Sequence, residues 1–124
     1  MASILRVNTL TDASSNNSIA TSVLFSGSAK AWNNVTQGTS AIQDSYNISS
    51  LDDDGDGDFG LNFSNNMANA NYPAPASAGE DNANVLTNFG DVSTSSMYGQ
   101  TRQTQNNSAI DKANNYICIL GDLA

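Results

Sequence analysis

The chain has no histidine, a single cysteine (Cys118), two prolines, one tryptophan and only four basic residues. Each scarcity removes a class of function. Without histidine and with one cysteine, a zinc site of ordinary donors cannot be assembled. The usual general base for activating a serine or threonine is also missing. Lys30 and Lys112 sit in no recognisable nucleophile motif. A lone cysteine rules out an intrachain disulfide framework and reads as a small buried hydrophobe inside Tyr116-Ile117-Cys118-Ile119-Leu120. Arg6, Lys30, Arg102 and Lys112 are scattered along a chain of net charge −8. Phosphate backbones and anionic membranes are recognised by clustered cations, so no nucleic-acid partner is expected. No sustained apolar stretch occurs, and residues 1–10 read as neither a signal peptide nor a membrane anchor. The acids Asp12, Asp44, Glu80, Asp81 and Asp91 lie among polar turn residues, not in the apolar pocket that a glycosidase acid requires. The chain therefore reads as a non-enzyme.

What is abundant is Asn, Ser and Thr, about a third of the 124 residues. Such a composition usually signals disorder, but here it is threaded by segments alternating at period two, the mark of half-buried strands. Ile19–Phe25, Ala29–Val35, Tyr46–Leu51, Phe59–Ser64, Val85–Phe89, Ser93–Gln105 and Tyr116–Leu120 are the expected strands. Residues 65–70 read as a helical turn or loop, Tyr72-Pro73-Ala74-Pro75 as an extended edge, Ser77–Asn84 as a polar loop and Asn106-Asn107-Ser108 as a turn. Phe59, Leu61 and Phe63 should share one buried face, and a slip of one residue would expose all three. Tyr116–Leu120, apolar on both faces, is expected either centrally in a sandwich or between subunits. The predicted fold is all-β: a small antiparallel, jelly-roll-like β-sandwich over residues 21–124, preceded by an N-terminal docking arm over residues 1–20. The arm would dock through Ile4, Leu5, Val7 and Leu10. The apolar fraction, 39%, points to a partner chain supplying part of the burial, hence a homo-oligomer.

The sharpest motif is Asp52-Asp53-Asp54-Gly55-Asp56-Gly57-Asp58. Asp52, Asp54, Asp56 and Gly57 match the first half of an EF-hand calcium loop. Phe63 stands where the bidentate Glu belongs, and the flanks read as strands. The run therefore reads either as an incomplete calcium site at Asp52, Asp54 and Asp56 or as a solvated, flexible hairpin tip. Trp32, Tyr46, Phe59, Phe63 and Tyr116 are assigned to the core. Tyr72 and Tyr98, in more polar contexts, are the candidate surface contacts for carbohydrate or protein.

Three stretches together resemble small modules in tail-fibre-type virion proteins of marine tailed phages: the opening Met1–Ser14; the centre from Gly27-Ser28-Ala29-Lys30-Ala31-Trp32 through Asp44–Leu51 to Asp58–Phe63; and the ending Tyr116–Asp122. The resemblance implies a virion structural protein, all-β and homotrimeric. It would be displayed on a tail appendage, with host attachment through the loops at 52–58, 72–84 and 106–108. A capsid decoration protein on the head exterior is the alternative. The expected partners are sister chains, other virion proteins and a host surface carbohydrate or protein, with no membrane insertion. The acidic tip departs from the family pattern.

Overall fold

In the computed structural model, residues 3–79 and 85–124 are described. After a short hairpin, β1 (Thr9–Thr11) and β2 (Ser18–Ala20), comes a seven-residue helix, α1 (Thr21–Gly27). Eight longer strands follow: β3 (Ala29–Thr36), β4 (Ala41–Tyr46), β5 (Ile48–Gly55), β6 (Asp58–Phe63), β7 (Ala76–Gly79), β8 (Val85–Gly90), β9 (Ser96–Gln103) and β10 (Asn114–Leu120). They form two four-stranded antiparallel sheets of order β4-β3-β10-β7 and β5-β6-β9-β8. The expected all-β sandwich is the fold.

The alternation read from the sequence becomes the core. Ala31, Val35, Ile117 and Ile119 project inward from the first sheet, and Phe59, Leu61, Phe63 and Met97 from the second. Met67 and Tyr72 complete the buried cluster. β9 leaves room for Phe59 at Gly99: a Cβ there would lie 2.6 Å from the ring. β10 is internal to its sheet, between β3 and β7, so the strand that is apolar on both faces is central within one chain. Pro73 and Pro75 lie at the sheet edge, and their carbonyls accept from Leu120 and Cys118 N–H groups. Their missing donors therefore cost the ladder nothing.

A polar cluster links the two sheets inside the sandwich. The Asn115 amide on β10 donates to Gln37 Oε1 (2.9 Å) and to the Lys112 carbonyl (3.1 Å), and accepts from the Thr101 hydroxyl of β9 (3.1 Å). Gln37 Oε1 also takes the Lys112 N–H at 3.0 Å. Asn115, Thr101, Gln37 and Lys112 are all buried. Mutual hydrogen bonding is what makes so polar an interior tolerable.

The structure corrects several expectations. Ile19–Phe25 is not one strand. Pairing ends where the Thr21 N–H meets the Asn8 carbonyl, and with no further strand beside it the chain closes its own hydrogen bonds as α1. The sandwich accordingly begins at Ala29, later than the boundary after residue 20. Ser77–Gly79, expected in a polar loop, instead belongs to the edge strand β7 (Ala76–Gly79), paired through Ala78 and Ser77 with Asn115 and Tyr116; the rest of that loop, residues 80–84, lies outside the described residues. The acidic hairpin is tight, not a long flexible tip. β5 runs through Asp52–Asp54 to Gly55, and only Asp56 and Gly57 form the turn. Asp-Gly suits a two-residue hairpin because glycine accepts the positive φ, here +72°. The turn is also fastened: the Gly57 N–H donates to Asp111 Oδ1 (2.7 Å) and its carbonyl accepts from Thr101 N–H (2.7 Å).

Candidate functional site: the arm and the two outer faces

The arm is built from residues that find no burial. Its hairpin turn is organised by Asp12, whose carboxylate accepts from the Asn16 N–H (3.0 Å) and the Asn17 amide (2.7 Å). The Asn17 bond is the main reason that the Asp12 carboxyl is held below the usual carboxylate range. Thr21 fastens the hairpin's end through its hydroxyl to the Val7 and Asn8 carbonyls. These bonds give the arm a shape but no core. The predicted docking residues Ile4 and Leu5 are 76% and 80% exposed, and Val7 and Leu10 are exposed as well. Ile19, cross-strand partner of Leu10, and Val23, Leu24 and Phe25 of α1 are also exposed. The sequence reading missed these four because it assigned them to a packed strand. A helix of two turns with no buried residue has little stability of its own in water. Lys30 joins arm to sandwich, donating from β3 to the Phe25 carbonyl and to the Ser28 hydroxyl.

The outer face of the β5-β6-β9-β8 sheet is polar and acidic. Asp52 lies against Gly60 in register, with Tyr98 of β9 on the far side of Gly60, and accepts from the Asn62 amide at 2.7 Å. Asp53 instead reaches the Ser40 hydroxyl and the Gly55 N–H. Those bonds, Ser40 foremost, hold its carboxyl low. Asp52, Asp54 and Asp56 do not form a cage. Asp52 and Asp54 lie on an extended strand, where residues two apart are separated by about 7 Å, and Asp56 belongs to the turn. Among the described residues, no group of three or more acidic or cysteine side chains stands close enough to hold a metal ion.

The two tyrosines proposed as surface contacts separate. Tyr72 is buried. Its hydroxyl donates to the Ser93 carbonyl at 2.9 Å, and its ring meets Phe63 edge-on at a centroid distance of 5.9 Å. Burial pushes its hydroxyl above the ordinary tyrosine range against the lowering effect of the Ser93 bond. A polar sequence neighbourhood had suggested exposure, but the backbone carbonyls of the β8–β9 turn satisfy the hydroxyl and let the ring go inside. Tyr98 stays half-buried on the acidic face. Gln100 draws its hydroxyl down, but lost solvation and the neighbouring Asp58 and Asp54 outweigh this and raise it.

Three aromatics assigned to the core are instead on the outer face of the β4-β3-β10-β7 sheet. Trp32, Tyr46 and Tyr116 are 38%, 52% and 46% exposed. In register, Trp32 lies between Tyr46 of β4 and Cys118 of β10, and Tyr116 lies beside Asn34 in the next outward row. Cys118, half-buried on this face, is correspondingly less buried than expected. The inward positions of β3 go to Ala31, Asn33 and Val35, so alternation forces Trp32 and Asn34 outward. A shallow hollow of about 330 Å³ lies beside Tyr116, bordered by Pro75, Ser77 and Cys118. No family model, curated protein or solved structure matches this chain. None of the described helices is long and apolar enough to cross a membrane.

Proposed function

We propose that this chain is a structural subunit of a phage virion, carried on a tail fibre or similar surface appendage, where it docks through its N-terminal arm and helps attach the particle to its host. The observation that supports this is the exposure of every described large apolar residue of the arm, next to a sandwich with a buried apolar core of its own. Exposed apolar residues concentrated in one segment suit a contact site, here with other virion proteins or with sister chains in a homotrimer. The class of particle comes from the resemblance: its central and closing segments fall on β3, β4–β5, β6 and β10 of the sandwich, and the described part of its opening segment, residues 3–14, lies in the arm. The test is imaging of intact virions with the subunit labelled. Symmetric sets of three at the tail are the expected result. A regular lattice over the head would make the protein a capsid decoration subunit, and absence from the particle would refute the proposal.

A further inference from the structure

We infer that the outer face of the β4-β3-β10-β7 sheet binds neutral saccharide chains, with Trp32, Tyr46 and Tyr116 as the stacking surface and Asn34 and Asp44 as hydrogen-bonding groups. This deepens the host-attachment part of the proposal above and rests on it for biological meaning. Sugar rings present C–H groups on one face and hydroxyls around the edge. Aromatic faces carry negative quadrupole density that attracts the former, and amides or carboxylates take the latter.

The face has both elements. The three rings stand on three successive strands, β4, β3 and β10, of one sheet. Among them is an under-satisfied amide: Asn34 Oδ1 is shielded from solvent with no donor in the protein, and Asn34 Nδ2 reaches Asn114 Oδ1 only at 3.5 Å, the limit for a hydrogen bond. A buried carbonyl without a donor is costly, so this amide gains by turning toward a hydroxyl-bearing ligand. Asp44, the direct cross-strand partner of Asn34 on β4, is exposed.

Charge and area both argue for a small neutral occupant. Among the described residues the face carries one carboxylate, Asp44, and one cation, Lys30, which is already engaged by Phe25 and Ser28. Nothing here selects an ionic ligand. At about 150–250 Å² per ring and roughly half exposure, the three rings offer on the order of 300 Å². That is well below the ~800 Å² per partner of a stable protein interface, but enough to cover part of an oligosaccharide.

Trp32 is the chain's only tryptophan, so its emission reports on this face alone. The experiment titrates the full chain with soluble oligosaccharides of glucose, mannose, galactose and N-acetylglucosamine, following Trp32 fluorescence. A saturable change with at least one of the four is expected. Tyr116→Ala and, independently, Tyr46→Ala should weaken it about tenfold each, with circular dichroism confirming the fold. Leu86→Ala, on the exposed side of β8 in the other sheet, should leave it unchanged. The inference is overturned if none of the four sugars changes the emission, if the change survives both tyrosine replacements, or if the emission responds only to protein concentration. The last result would mean that a second copy covers the face. The soluble chain suffices for this test, so a negative result leaves the virion assignment standing, and a positive one with the protein absent from particles removes the assignment alone.

Discussion

Residues 3–28 and residues 29–124 use the same apolar side chains to opposite ends. Leu61 in the sandwich has no exposed surface, while Leu5 in the arm is 80% exposed; Phe59 is buried, while Phe25 is 65% exposed. The difference is not in the residues but in what surrounds them. Each sandwich strand has a facing sheet to receive its inward side chains. The arm has only a three-residue ladder and a two-turn helix, which can close backbone hydrogen bonds but cannot enclose a side chain. Hydrophobicity in a sequence is therefore a demand for burial, and the fold shows which half meets it internally.

Changes confined to the sandwich should have the largest effects. Gly57→Ala places a Cβ 2.4 Å from the Thr101 carbonyl oxygen and 2.6 Å from the Ile110 nitrogen, at φ +72°. Since backbone atoms cannot yield as a flexible side chain would, a loss of about 4 kcal/mol or more is expected in urea unfolding. An unchanged midpoint would mean that the acidic turn is not fastened as described. Leu61→Ala should cost about 3 kcal/mol through lost burial and the cavity left behind. Leu5→Ala should move the same midpoint by less than about 0.5 kcal/mol. Equal effects of the two leucine changes would abolish the contrast between arm and sandwich.

Asn115→Ala sharpens the picture of how the sheets are joined. It removes one hydrogen bond each from Gln37 Oε1, the Lys112 carbonyl and the Thr101 hydroxyl and leaves the buried Thr101 hydroxyl without its acceptor, a loss expected to cost about 2 kcal/mol. The same change would be nearly neutral if the two sheets were held by apolar contact alone.

The pH dependence is expected to be smallest. Tyr72 has its hydroxyl pKa raised by folding, so its contribution is whole below the unfolded value of about 10 and is lost as pH rises through the higher folded value. Asp12 has the opposite sign. Its contribution is present above the unfolded value, about 3.9, and disappears as pH falls through the lower folded value. Alkaline titration should therefore loosen the sandwich, whereas acid acting on Asp12 should loosen the arm hairpin. Amide exchange measured at each pH distinguishes the two regions.

Most of the sandwich was legible because period-two alternation is a local signal. Phe59, Leu61 and Phe63 go inward together, as do Ile117 and Ile119. Alternation divides a strand into two faces without saying which is inner, and the bulkier set is not always the inner one. On β3 the small and polar Ala31, Asn33 and Val35 are inward and Trp32 is outward, because Asn33 finds a carbonyl at Asn115 and the facing sheet already supplies large side chains. The buried network around Asn115 joins residues nearly eighty positions apart, which no local pattern carries. Tyr72 is hidden by turn carbonyls that its own sequence neighbourhood does not show. The arm's early apolar residues are exposed, as a docking segment requires; the helix over Thr21–Gly27 was not legible, because a β-rich composition with no strand left to pair beside it gave no local sign of a turn to helix.

The most direct measurement compares the full chain with residues 29–124 alone, for melting temperature and for incorporation into particles. The account predicts that the shortened chain melts within a few degrees of the full one yet no longer enters the virion. A shortened chain that fails to fold, or one that is incorporated normally, would contradict the division between docking arm and self-sufficient sandwich.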